Sequence, residues 1–293
     1  MLWQRYHRPK SVSEALELLA AANGRARLVA GATDLAIQLK RGEVQLDALV
    51  DVTGIPDLAR ISVDGSKLKI GALVTHGEAA QSELLNELAP LLAEACSQVG
   101  SPQIRNVGTI AGNIVNAQPG ADSIVALLAL EARLTVVSLA GERQLPISQV
   151  CLSPGRSAID PCNEMVTQVE FEIPLGDSGS SYQRLSQRQA LSLPVVAVGT
   201  VVSVDSEEKR FKRARIAVGP VAPVPFRAEA AERSLQDAPL EMGLIDEAAA
   251  LAARDANPRD SLRGGAAYRK HMVEVLVRRS LIRALERAGF VDV

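Results

Sequence analysis

The sequence is short of aromatics, cysteine and histidine, and each shortage excludes a class of function. Aromatics are only 3% of 293 residues, so the cores must be built from Ala, Val, Leu and Ile, and base stacking on aromatic platforms is not expected. Cys96, Cys151 and Cys162 stand far apart with no C-x-x-C pair, which argues against a disulfide framework, a zinc site or an iron–sulfur cluster carried by this chain. His7, His76 and His271 are equally scattered, so no Ser/His/Asp or Cys/His arrangement for hydrolysis can be assembled. His76 sits inside Thr75-His-Gly-Glu78, a capping-box pattern, and reads as an ordinary helix-start residue. A net charge of −2 offers no general attraction to nucleic acid or anionic membrane, so an anionic ligand must be held by local donors. No apolar run reaches the length of a membrane span and the first eight residues lack a signal-peptide core, so a cytoplasmic protein is expected. Neither a G-x-G-x-x-G opening a helix after a strand nor a G-x-x-x-x-G-K-S/T occurs, so no Rossmann or P-loop signature is present.

What is present is ordinary globular composition, 47% hydrophobic and 23% charged, around one unusual stretch. Residues 101–122 are small, polar and turn-forming, with Thr109, Ile110, Ala111, Gly112 and Asn113 at the centre and Asp122 at the end, before an apolar run over 123–130. Small residues let the backbone approach a ligand and let N–H groups converge on an anion, which suits a diphosphate-containing cofactor. A turn-rich surface connection would have the same composition. A second stretch of the same character, Val29, Ala30, Gly31, Ala32, Thr33, Asp34, Leu35 and Ala36, follows an apolar strand-like segment, and two such cradles suit one long ligand.

Along the chain, Ser11-Val-Ser-Glu14 opens an amphipathic helix that Asn23-Gly24 stops, and residues 27–30 form a strand feeding the first cradle. The alternation of Leu35, Ile37 and Leu39 predicts a short, partly buried segment. Strands are expected at 49–52, 59–63 and 68–73, the last two joined by the hairpin signal Asp64-Gly65, then helices at 78–83 and 88–99. Asp122 is placed to cap a helix through residue 130, followed by strands at 133–139, 144–147 and 164–173. The Pro/Gly/Ser-rich residues 174–181 mark a domain boundary. Beyond it, 181–186, 194–204 and 212–219 suggest a three-stranded antiparallel sheet, and 227–236, 242–254 and 267–288 are helical. The basic strip Arg278, Arg279, Arg283 and Arg287 reads as a solvated helix face or a surface for an acidic partner subunit.

Ala30-Gly-Ala-Thr-Asp-Leu35 resembles the A-G-G-T/H-D/S-L motif, and Thr109-Ile-Ala-Gly-Asn113 the T-I-G-G-N motif, of the FAD-binding subunits in the molybdenum hydroxylase family, which includes xanthine, nicotinate and carbon monoxide dehydrogenases. Gln103-Ile-Arg-Asn106 and Ala121-Asp122 extend the resemblance, and order and spacing agree over essentially the whole chain. Ala32 and Ala111 stand where the family usually has glycine, so each methyl is expected to crowd a phosphate or demand a negative φ. The resemblance implies an α+β fold: a PCMH-type (vanillyl-alcohol oxidase-like) FAD-binding domain over 1–175, then a C-terminal domain of the carbon monoxide dehydrogenase flavoprotein type over 180–293. It implies a flavoprotein oxidoreductase subunit for electron transfer, taking electrons from iron–sulfur clusters to FAD and on to NAD or another acceptor. Molybdopterin and 2Fe–2S clusters would sit on a separate large subunit and a separate small subunit. Carried over by position, residues 29–36 and 109–113 would hold the diphosphate and ribityl parts and Asp122 a ribose. The segment 184–193 resembles R-x-x-R-x-x-D-I/Y-A, with Leu193 facing the flavin, Ser192 in place of the usual Asp, and Met165 and Tyr182 as further lining residues. Alternatives are a stand-alone PCMH-type flavin oxidase or reductase, and an assembly subunit that has lost FAD.

Overall fold

The structure is a computed structural model that describes residues 3–174 and 176–290. Residues 1, 2, 175 and 291–293, at the limits of the expected domains, lie outside the described residues.

The N-terminal part starts with a small parallel sheet ordered Arg5–His7, Ala48–Asp51, Ala26–Val29. Parallel strands need a crossover. The helix Val12–Ala21 supplies it; Ser11 accepts from the Glu14 N–H at 3.2 Å, and the helix ends where Asn23 and Gly24 turn to φ 47° and 82°. A five-stranded antiparallel sheet follows, in the order Ile61–Asp64, Lys67–Gly71, Met165–Glu172, Arg133–Ser138, Gly141–Pro146. The Asp64-Gly65 hairpin forms as expected, with Gly65 at φ 60°. Helices His76–Gln81, Glu83–Leu88, Pro90–Ser97 and the fully buried Asp122–Ala129 cover this sheet, and the core between them is aliphatic. Thr75 and Glu78 complete the capping box in both directions, at 3.1 and 2.8 Å.

The C-terminal sheet runs Ser178–Leu185, Val196–Asp205, Arg210–Gly219, Phe226–Arg227, all antiparallel. The three expected strands are there, joined at the edge by a two-residue fourth. The helices Glu229–Leu235, Met242–Asp255 and Ala266–Arg287 cover it through Ala, Val and Leu. The long helix lies flat on the first strand at Gly179, where a Cβ would meet the Ala284 carbonyl oxygen at 1.9 Å.

Residues 35–39 form a short, partly buried segment as expected, and it is the helix Leu35–Lys40, with Leu39 buried and Ile37 48% exposed. The stretch 101–122, read as turn-forming, holds two short helices between its turns, Pro102–Arg105 and Ile110–Val115, each started by a side-chain cap, Ser101 and Thr109. Small polar residues here serve as caps between short helices.

Candidate cofactor site

The first cradle is the turn leaving the parallel strand Ala26–Val29 for the helix Leu35–Lys40. Within it the N–H groups of Gly31, Ala32, Thr33, Asp34 and Leu35 donate to no acceptor among the described residues; the first amide to do so is that of Ala36, to the Ala32 carbonyl at 2.9 Å. Five consecutive unspent amides on a partly exposed turn are the donors that an anion-binding concavity requires. Ala32 lies at φ 56°. The expected negative φ is therefore wrong: the loop geometry imposes the left-handed conformation and the alanine accepts it, at a cost of about 1 kcal/mol. Ala111 is simpler. It is the second residue of the helix Ile110–Val115, its methyl buried at 6% exposure, where alanine is a better helix former than glycine.

The second cradle is the start of that helix. Thr109 Oγ1 accepts from the Gly112 N–H at 3.0 Å, the Ile110 N–H goes to the Val74 carbonyl at 3.0 Å, and the Ala111 N–H is left without an acceptor among the described residues. Asn113 Oδ1 accepts from Ser123 Oγ at 2.7 Å, which ties this helix to the next.

The two cradles meet. A Cβ on Gly31 would lie 1.9 Å from the Val107 carbonyl oxygen, so the two backbones touch, and Thr33 Oγ1 reaches the Gly108 position at 3.7 Å. Burial pushes the Asp34 carboxyl up, and Asn116 and Thr33 oppose the rise, so Asp34 of the first cradle lies beside Asn116 at the end of the second. Val107 and Gly108 were not singled out in the sequence; only the tertiary contact reveals them.

Asp122 does not cap its helix. Ala121 occupies the cap position and Asp122 is the first helical residue, with no side-chain cap bond. Its carboxylate, 5% exposed, instead takes Tyr182 Oη at 2.6 Å and Arg184 Nε at 2.8 Å, both on the same oxygen. Burial pushes the Asp122 carboxyl up while Arg184 and Tyr182 hold it back; burial first, then the Asp122 charge, pushes the Tyr182 phenol well up. Arg184 also reaches the Ser192 carbonyl, and the Leu191 N–H reaches the Gly100 carbonyl at 3.0 Å. The loop between the first two strands of the C-terminal sheet is thereby fastened beside the second cradle. Leu193, 55% exposed, stands on it 3.5 Å from the Gly120 position. Tyr182 is therefore an internal hydrogen-bonding residue, and Met165 lies 3% exposed in the core cluster with Leu16, Val52 and Leu73.

His76 is buried against the second cradle. Its N–H binds the Gly108 carbonyl at 2.9 Å, Nδ1 lies 3.5 Å from Cys96 Sγ, and burial pulls the imidazole down to about 4, so it is neutral and structural. Among the described residues no group of three or more His, Cys, Asp or Glu could hold a metal ion, and no helix is long and apolar enough to cross a membrane.

Residues 3–175 match the family described as the FAD binding domain in molybdopterin dehydrogenase, and residues 181–284 the carbon monoxide dehydrogenase flavoprotein C-terminal domain. The chain is 34% identical over 279 residues to the 6-hydroxypseudooxynicotine dehydrogenase complex subunit alpha of Paenarthrobacter nicotinovorans, covering 95% of this chain and 93% of that one. It is 31% identical to the xanthine dehydrogenase FAD-binding subunit of Escherichia coli O157:H7, covering 97% of each. A structure of carbon monoxide dehydrogenase from Hydrogenophaga pseudoflava superposes with a TM-score of 0.92 at 30% identity, covering 97% of this chain and 98% of that one. With matches of this extent over nearly its whole length, the chain belongs to the family of FAD-binding subunits of molybdopterin dehydrogenases.

Proposed function

We propose that this chain is the electron-transfer subunit of a multi-chain, molybdenum-dependent oxidoreductase, accepting electrons from iron–sulfur clusters on a small partner and delivering them to NAD or another soluble acceptor. The meeting of the two cradles at Gly31 and Val107 carries the reading. It sets the free amides of residues 31–35 against the loop that leads into the helix carrying the free Ala111 amide, and two groups of donors suit a diphosphate better than a monoanion. When bound, FAD supplies the redox chemistry; the chain supplies binding, orientation and shielding. Residues 29–36 and 109–113 would hold the diphosphate and ribityl parts, and the loop carrying Leu193 would border the flavin. Asp122 would act on that loop through Arg184, since its carboxylate is already committed to Arg184 and Tyr182. A large molybdopterin subunit and a small 2Fe–2S subunit are the partners proposed, by analogy with relatives named as medium chains and complex subunits. The division at 175–180 and a cytoplasmic location belong to the same proposal.

The test is the visible spectrum of the purified chain, with the released cofactor identified, before and after anaerobic NADH. A flavin spectrum yielding FAD and bleached by NADH supports the reading with NAD as acceptor. Stoichiometric FAD without bleaching removes NAD from it, and a colourless chain that refuses added FAD overturns it.

A further inference from the structure

At the far end of the buried helix Asp122–Ala129, the two halves of the chain enclose a cavity of about 660 Å³. Its walls come from the five-stranded sheet on one side and the C-terminal sheet on the other. Eight residues of helix, about 12 Å, separate it from Asp122 and the cradle end.

Arginine dominates this cavity. Arg133, Arg213, Arg215 and Arg227 line it with Glu131 and Glu172. Arg227 is spent on Glu232, which takes its Nε and Nη2 at 2.8 and 2.6 Å, so Arg133, Arg213 and Arg215 face two carboxylates, an excess of one positive charge. Glu131 accepts from Arg213 Nη2 at 2.8 Å and from Arg227. Arg215 is different. Its Nε lies 2.8 Å from a Glu131 oxygen but off the hydrogen-bonding direction, and the whole guanidinium donates no hydrogen bond among the described residues. Burial, with Arg213 and Arg227 nearby, disfavours its charge. The side chain of Arg133 and the hydroxyls of Ser148, Ser178 and Ser203, all on the cavity wall, also donate to no protein acceptor among the described residues. Arg215 has one carboxylate opposite its Nε and no acceptor for the rest of its guanidinium, beside further unspent donors in a cavity of ligand size, an arrangement with room for a second anion.

We propose that this cleft binds a small polyvalent anion of the phosphate-ester or polycarboxylate class, gripped by Arg215, Arg213 and Arg133 and by the serine hydroxyls. Guanidinium groups suit such ligands because they donate in pairs to carboxylate or phosphate oxygens. Glu131 opposes the ligand's charge and makes the site selective for anions strong enough to compete with it.

Isothermal titration of the FAD-loaded protein with inorganic phosphate and with citrate, at physiological ionic strength, tests this. Saturable binding of one or both is expected, and the stronger anion identifies the class. Arg215→Gln should weaken it about tenfold or more, the effect of removing a charge-assisted donor pair. Arg133→Gln, on an exposed strand residue whose loss leaves the fold intact, should weaken it severalfold. FAD content should stay unchanged in both, which separates this site from the cofactor reading. Absence of saturable binding, or equal binding by wild type and Arg215→Gln, overturns the proposal. So does binding of a poly-glutamate peptide without phosphate or citrate, which would give the cleft to a protein partner.

Discussion

Replacing Gly31 with alanine adds one methyl where the two cradles touch. The new Cβ would lie 1.9 Å from the Val107 carbonyl oxygen, 2.5 Å from its carbon and 2.9 Å from the Gly108 nitrogen. A carbon approaches a carbonyl oxygen to about 3.3 Å, so one side must retreat by more than about 1 Å. Both sides are backbone, and no rotamer change can relieve the clash. The Val107 side is pinned by Gly108 N–H to the Ile104 carbonyl at 2.7 Å, His76 N–H to the Gly108 carbonyl at 2.9 Å and Ile110 N–H to the Val74 carbonyl at 3.0 Å. The displacement therefore falls on residues 30–34. The stability cost should resemble other overpacking changes, about 1–3 kcal/mol. Cofactor affinity suffers more. Two misaligned amide-to-phosphate bonds at about 1.5–3 kcal/mol each give about 3–6 kcal/mol, or two to four orders of magnitude in Kd. FAD released from denatured protein measures occupancy, titration of the stripped protein measures Kd, and far-UV circular dichroism checks the fold. A folded Gly31→Ala protein with stoichiometric FAD and unchanged Tm would refute the convergence of the two cradles.

Four further outcomes follow from the same geometry. Ala32→Gly releases a left-handed alanine at φ 56° and should raise stability by up to about 1 kcal/mol in denaturant titration; a loss would mean the methyl packs favourably. Gly112→Asp places a carboxylate on the exposed third residue of a helix, where the backbone tolerates acid, so the fold should survive while FAD is lost from the purified protein; retained FAD moves the phosphate elsewhere. Arg184→Met strands the buried Asp122 charge and should cost about 3–5 kcal/mol, whereas Tyr182→Phe removes one donor and should cost about 1–3 kcal/mol; the reverse order in urea unfolding would contradict the network. His76 refuses a proton until about pH 4, while the unfolded chain takes one near pH 6.5, so stability should fall as pH drops through that window and be flat above it. The full effect is at most about 3 kcal/mol, and His76→Gln should remove it from the acid limb of a Tm–pH profile.

Two helix starts, the hairpin and the order of elements could be read from the residues, because these rest on contacts a few positions apart; the cap expected at Asp122 could not, since its carboxylate turns to Tyr182 and Arg184. Ser11 with Glu14, Thr75 with Glu78, and Asp64-Gly65 all behave as their spacing requires. The sequence also marked two stretches of small residues, 29–36 and 109–113, whose backbone amides the structure leaves partly without acceptors. Where one short signal served two conformations, the conformation stayed open: Leu35, Ile37 and Leu39 fit strand and helix alike, and Ser101 and Thr109 could mark turns or caps. Tertiary packing alone brought Gly31 onto Val107, 76 positions away, joined Asp122 to Arg184 across 62, and gathered three arginines around Glu131. Such pairings depend on how sheets and helices stack, and no local propensity encodes which carboxylate a distant arginine will meet. The sequence marked two stretches of open backbone; packing decided that they touch, because the contact between Gly31 and Val107 depends on how the elements that carry them stack.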